Sequence, residues 1–261
     1  MAEALSLYRH RDTRVDRLNP LTKLTLVGFL LIAGLALPGI WVPYLLFLVV
    51  LVPLALLGKV FPEFIRAAFR VALPFAISVL IVQGFFWPHG TPLIAIGPVA
   101  LKQEGLRFAV ASIGRILIVL SAFLWFAFTT RPDILMIDLA QRGVSSSLAY
   151  MIVSTIQIVP RFQSRASAIL DAQKARGLET GGNLLQRARA ILPLVMPLIL
   201  SSLVDVEERA LAIESRAFNH PGVKTSLIQI DEAAWEPPAR LGIVVVTILM
   251  LAIGIWLRIH P

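Results

Sequence analysis

The chain has 261 residues, 57% of them hydrophobic and only 15% charged, with 24 Lys and Arg against 16 Asp and Glu. A soluble domain of this length does not need so much apolar sequence, so soluble classes are excluded and an integral membrane protein is left. The basic excess sits mainly between apolar runs, which is the signature of membrane topology rather than of nucleic-acid binding, and the absence of Cys excludes disulfide and thiolate chemistry.

The first twenty residues carry Arg9, Arg11, Arg14 and Arg17 and no apolar core, so no cleavable signal peptide is expected. Crossing a bilayer takes roughly 17 to 25 mostly apolar residues. Five segments qualify: Leu21–Leu37, Ile40–Leu57, Val71–Trp87, Phe108–Phe128 and Leu241–Leu257. Pro38-Gly39 and Trp41 make a short uncharged turn suited to the outer face, whereas Lys59, Arg66 and Arg70 mark the opposite one. Counting from a cytoplasmic N-terminus places Thr129 to Arg240, with its twelve Lys and Arg, on the cytoplasmic side, and Arg258 falls outside.

The pattern in that long polar stretch is helical. Thr130 and Pro132 start a short helix over Asp133–Arg142, which Gly143 stops. An apolar helix follows over Ser147–Val159, and another over Arg161–Arg176, where Phe162, Ala166, Ile169 and Leu170 recur near a period of 3.6. Gly177 closes it as a left-handed cap. Leu184–Arg216 comes next, ended by Asn219, Pro221 and Gly222, and Gly222 to Pro238 reads as a polar connector back to the last span. Within it, Ile191–Val204 has fourteen residues, too few to cross, and Pro193 and Pro197 interrupt its backbone ladder. A bent apolar element in or along the inner face of the membrane is expected there. Leu194, Met196 and Leu198 on it are too apolar to face water, so they serve a partner surface or pack on the chain's own spans.

Two helix ends in this stretch match. Ala172-Gln173-Lys174-Ala175-Arg176-Gly177 and Ala212-Ile213-Glu214-Ser215-Arg216-Ala217 each place an arginine between small residues, 40 residues apart. One such arginine needs no function, since a cation in a last helical turn is favoured by about 0.3–1 kcal/mol. Two change the reading. Small neighbours leave the guanidinium accessible, and its rigid donor fork suits carboxylates. A partner presenting one acidic groove twice, as a dimer does, would accept both.

Four blocks in order also resemble a known family: Asn19-Pro20-Leu21-Thr22-Lys23; Thr129-Thr130-Arg131-Pro132-Asp133-Ile134-Leu135, continuing to Pro160-Arg161-Phe162; Ala175-Arg176-Gly177; and Ser215-Arg216-Ala217. Across nearly the whole chain they look like the transmembrane (T) component of energy-coupling factor transporters, ABC-type importers of vitamins and transition-metal ions. The resemblance implies that Arg176 and Arg216 each enter a groove on one of two ABC ATPase subunits. It further implies a substrate-binding membrane protein, the S component, held on apolar surfaces of the coupling helices. The second signature departs from the family's Ala-Arg-Gly in having Ser215 and Ala217, and a less tightly turned helix end is expected there.

Other chemistry is not encoded. No Gly-x-x-x-x-Gly-Lys-Ser/Thr run occurs, so the chain itself is not expected to bind ATP or act as an enzyme, and no catalytic residue or cofactor is assigned. His10, His89, His220 and His260 have no metal-ligand spacing. The apolar runs contain no Asp or Glu, against a proton- or sodium-coupled carrier, and Arg115 is the one ionisable residue well inside a predicted span. An intramembrane arginine is a functional candidate by default, and against that it is read as interfacial or as bonded to backbone carbonyls, since a lone cation with no paired carboxylate makes a poor ion relay. Asp171 and Glu214 are solvated charges or local partners of the two arginines.

The expected fold class is therefore an all-α integral membrane protein with about five transmembrane helices and long cytoplasmic coupling helices. Residues 1–128 form the membrane bundle, 129–219 the coupling region, and 220–261 a connector with the last helix. The expected function is that of the scaffold in the plasma membrane linking two ATPases to an S component. A self-contained secondary transporter and a membrane-embedded transferase are the rival classes.

Overall fold

The computed structural model describes residues 11, 13, 15–88, 91–96, 99–178, 183–218, 220, 228, 230 and 232–259. They fall into two compact units, one within Leu139–Gln229 and the other within Ser6–Asp138 and Ile230–Pro261.

The second unit is a helical membrane bundle. Its α1, Pro20–Ala36, opens on Asn19, whose Oδ1 accepts from the Leu21 N–H at 2.9 Å, with Pro20 at the first helical position, where its missing N–H costs nothing. Next comes one helical run made of α2 (Val42–Leu46), a π-turn (Phe47–Leu51) and α3 (Val52–Leu57). Pro53 cannot donate to the preceding turn, and the ladder absorbs the gap as a π-turn in which the Val52 N–H reaches back to Phe47 O. Helix α4, Phe61–Phe85, begins ten residues before the expected span and carries Arg66 and Arg70 on its first turns. Helix α5 covers Gln103–Thr129 and α9 covers Glu236–Ile259. Of the five apolar segments, α4, α5 and α9 are long and apolar enough to cross a membrane, and the other two form shorter apolar helices, 20–36 and 42–57.

The expectation of purely helical structure missed one element. Between α4 and α5, β1 (Pro92–Ile96) and β2 (Val99–Lys102) pair antiparallel, with Ile96 opposite Val99 and Ala95 opposite Ala100. Pairing on the partner strand satisfies backbone groups that a bare loop would leave to water.

The core of this unit lies where α1, α3, α4 and α5 meet, around Leu30, Leu51, Phe64, Ile118 and Trp125. Helices approach closely where they carry glycine. A Cβ on Gly105 of α5 would stand 2.1 Å from the Gln83 carbonyl of α4, and one on Gly254 of α9 would stand 2.8 Å from the Ala36 carbonyl of α1. In lipid, such backbone contact supplies the packing that a hydrophobic driving force supplies in water.

Three helix ends are knotted by buried polar groups. The Asn19 N–H and the Thr22 hydroxyl both donate to Oε2 of Glu236, at 3.0 and 2.6 Å. Lys23 Nζ donates to the Thr129 carbonyl at 2.6 Å. Asn19, Thr22, Lys23, Thr129 and Glu236 are all buried. The start of α1, the end of α5 and the start of α9 therefore meet at one end of the bundle. The chain leaves at Thr129 and returns to the same end at Glu236, so the residues between cross the membrane an even number of times or not at all. Glu236 also corrects the reading of Gly222–Pro238 as connector, because α9 already contains Glu236, Pro237 and Pro238 in its first turn, where proline is tolerated.

The other unit holds α7, Ser146–Ala175, and α8, Leu184–Ser215, and α6, Pro132–Gln141, precedes them in the chain. The two helices expected over Ser147–Val159 and Arg161–Arg176 are one, because Pro160 sits inside α7 without ending it. Pro193 and Pro197 likewise lie inside a continuous 32-residue α8. An interior proline removes one hydrogen bond and crowds one carbonyl, and the many remaining bonds of a 30-residue helix carry it through. Helix α8 ends in its own cap at Arg216; Asn219, Pro221 and Gly222, expected to end it, lie outside the described residues, as do His89 and Ser226.

Candidate functional site

Helices α7 and α8 end in the same way, atom for atom in the backbone. At the end of α7 the Gly177 N–H donates to Lys174 O and the Leu178 N–H to Gln173 O, both at 3.0 Å. At the end of α8 the Ala217 N–H donates to Glu214 O at 2.9 Å and the Phe218 N–H to Ile213 O at 3.2 Å. Each is a Schellman cap, with the arginine at the C-cap and the next residue left-handed, φ being 88° at Gly177 and 52° at Ala217. The looser turn expected at the second signature is not found. Ala217 is held in a conformation that alanine ordinarily avoids.

The surroundings match as well. Ala175, Arg176 and Gly177 are exposed and Leu178 is half-buried, while Ser215, Arg216 and Ala217 are exposed and Phe218 is half-buried. Beyond the second cap, the Phe218 ring lies 5.3 Å from that of Tyr150 near the start of α7. Asp171 pairs with Lys174 at 3.8 Å rather than with Arg176. Among the described residues no carboxylate lies within ion-pair distance of Arg176 or Arg216. Each guanidinium is exposed on a rigid helix end and, among the described residues, its donor fork has no carboxylate partner, which leaves it ready for one.

The other sequence-marked residues are spread. Met196 is 63% exposed, with Leu194 and Leu198 half-buried beside it, and Ile191, Val195, Ile199, Leu200 and Leu203 extend an exposed apolar surface along α8. A matching exposed run on α7 includes Leu148, Met151, Ile152, Ile156 and Phe162. Arg115 is half-buried at the thirteenth of the 27 positions of α5, beside an apolar groove of about 320 Å³ lined by Leu35, Phe75, Ile116, Val119 and Leu120. No ion-pair or hydrogen-bond partner stands by it among the described residues, so the bonded reading of Arg115 finds no carbonyl there. Among the same residues no group of three His, Asp or Glu is placed to hold a metal ion.

Sequence reasoning missed one polar contact in this unit. Arg165 of α7 donates to Asp205 of α8 through both terminal nitrogens, at 2.6 and 3.1 Å, and to the Ser201 carbonyl at 3.2 Å. The hydrogen bond from Arg165, with the charges of Arg165, Arg209 and Arg161 behind it, holds the Asp205 carboxyl below the usual carboxylate range. The signal was present only as an opposite-charge pair at the same 40-residue offset as the two signature arginines.

Comparison with known proteins gives a consistent picture. The sequence model of the family described as cobalt transport protein (CbiQ) matches residues 12–227. The chain is similar to the energy-coupling factor transporter transmembrane protein EcfT of Lactococcus lactis subsp. cremoris, 24% identical over 259 residues that cover 95% of each chain. It is 28% identical to the protein of that name from Listeria innocua serovar 6a over 225 residues, 82% of this chain and 84% of the relative. With that of Leuconostoc gelidum subsp. gasicomitatum it shares 30% over 198 residues, 70% of this chain and 71% of the relative.

Proposed function

We infer how this protein works from the family to which the chain belongs, the transmembrane T components of energy-coupling factor transporters. In our reading Arg176 and Arg216 dock two ABC ATPase subunits, one on each helix end. The observation that carries this is the repetition of one cap geometry, with an exposed arginine at the same position of both and no carboxylate beside it among the described residues. A single capping arginine would be explained by the helix dipole, but a duplicated cap held at Ala217 in spite of its left-handed strain needs a further reason.

The N-terminus and the coupling helices face the cytoplasm in this reading, which the distribution of Lys and Arg supports. The exposed apolar surface of α7 and α8 holds a substrate-binding S component, with Leu194, Met196 and Leu198 within it. Exposed apolar residues repeated along both helices are what a membrane partner would cover. ATP is bound and hydrolysed by the partners, and this chain passes their motion to the S component. Substrate choice lies with the S component, so the imported vitamin or metal ion is not written in these residues.

The test is co-purification from membranes. The double variant R176E/R216E should insert normally and lose both ATPases, because each contact would then set like charges against a desolvated acidic groove, at a cost of several kcal/mol. Each single variant should weaken assembly less. A double variant that still brings down both ATPases refutes the docking role.

A further inference from the structure

Arg165 and Asp205 take no part in docking as described above, yet their position relative to the docking arginines is regular. Arg165 lies eleven residues before Arg176, and Asp205 lies eleven residues before Arg216. Eleven residues of helix measure about 16 Å. The one point at which α7 and α8 are joined by directional bonds among the described side chains is thus equally far from both signature arginines.

The two arms run in opposite senses from that point. Tyr150 lies 15 residues before Arg165 on α7, and Phe218 lies 13 after Asp205 just beyond α8, yet their rings are 5.3 Å apart. The end of α8 therefore returns along α7 toward its start, while Arg176 lies at the opposite extremity. The ion pair is thus equally spaced along the two helices from both docking residues.

What else holds α7 to α8 is not directional. Among the described side chains Arg165 alone hydrogen-bonds across from α7 to α8. Beside the pair, Ile158 and Phe162 of α7 and Val206 of α8 line a shared cleft, and apolar surfaces of this kind let helices slide or rotate in small steps. A guanidinium fork on a carboxylate admits one register and one plane. Both side chains are about a third exposed, 38% and 32%, so the pair adds little stability, and its contribution is to geometry.

We propose that Arg165 and Asp205 form the fulcrum of the coupling pair, pinning α7 to α8 midway between Arg176 and Arg216 so that the two ATPases act on the membrane partner with equal leverage. A slip of one helical turn, about 5.4 Å, would lengthen one arm by roughly a third and tilt the response toward one ATPase. These are positioning residues, and their role in transport rests on the docking reading above.

Two measurements on the full chain test this. The cysteine-free sequence allows spin labels at K174C and E214C, each nine residues from its pin residue and together about 27 Å apart along the helices. With the pin intact the distance distribution should be single and narrow. In R165A and D205A it should broaden about twofold, and R165K, which keeps the charge and loses the fork, should broaden it too and serves where the alanine variants do not fold. In the assembled transporter the same variants should keep both ATPases and lose about fivefold in ATP-driven uptake, the scale of one exposed bidentate pair. Unchanged distributions in all variants overturn the fulcrum, and so does unchanged uptake in variants whose distribution has broadened. If R176E/R216E still binds both ATPases, the docking reading fails by itself, and the label distances still test the pin independently.

Discussion

Gly177 and Ala217 occupy the same place in the same cap, so exchanging their side chains should move the two helix ends in opposite directions. At Gly177 φ is 88° and no atom lies within 4 Å of where a Cβ would stand, so Gly177→Ala meets no clash and its cost is conformational alone. A left-handed alanine costs about 1–2 kcal/mol, and the stiffer unfolded chain returns about 0.4–1 kcal/mol, leaving a net loss near 1 kcal/mol. Ala217→Gly reverses each contribution and should tighten the second cap by a similar amount. One kcal/mol is about a fivefold change in the population of the frayed end. Hydrogen exchange followed by mass spectrometry in detergent or nanodiscs reads this directly. The Gly177 and Leu178 amides should exchange about fivefold faster in G177A, and those of Ala217 and Phe218 about fivefold slower in A217G. If both variants shift the same way, or neither shifts, the left-handed caps do not govern these ends. Should Arg216 dock a partner from this cap, A217G should also leave docking intact or strengthen it.

Removing the Glu236 carboxylate leaves the Asn19 N–H and Thr22 hydroxyl buried without an acceptor, so E236A should cost about 3 kcal/mol and lower the thermal midpoint by roughly 6–12 °C. Scanning calorimetry on the detergent-solubilised protein checks it, and E236Q should lose less. The depressed Asp205 carboxyl makes a second case. A group whose folded value is lowered contributes fully above its unfolded value and is lost as pH falls through the folded one, so the K174C–E214C distance should hold from pH 7 to about 4.5 and spread only below that. Arg161, Arg209 and Glu208 are the other charged groups facing the pair, and D205N should be broad already at pH 7. Orientation is checked by cysteine labelling in intact cells: Q173C and S226C should react only from the cytoplasmic side and H89C only from outside.

Much of this molecule is written locally, and those parts were legible. Five apolar runs mark five helices, Asn19-Pro20 marks the first start, and Gly177 marks a left-handed end. Ala217 is the instructive exception. Nothing in its own preference signals a left-handed cap; only its correspondence to Gly177 does, and the structure imposes the conformation through bonds to Glu214 and Ile213. The prolines misled for the opposite reason. Pro160, Pro193 and Pro197 lower helix propensity at their positions, but long helices average over such costs, so a local penalty did not become a break. The Glu236 knot and the Arg165–Asp205 pair were out of reach because their partners lie 214 and 40 residues apart, and no periodicity links them.

The knot at the foot of the bundle also sets an order of events during synthesis. Asn19 and Thr22 begin the first membrane helix, yet the carboxylate they need arrives 214 residues after Thr22. At ordinary translation speeds that is a wait of about 10–40 s. Through that interval the Asn19 N–H and the Thr22 hydroxyl lack the acceptor they have in the finished bundle. The first helix start is therefore completed only late in synthesis. A nascent chain stopped anywhere short of Glu236 lacks the latch. Completion of the last helix closes the first one, so the bundle becomes durable only when the whole coupling region has already been made.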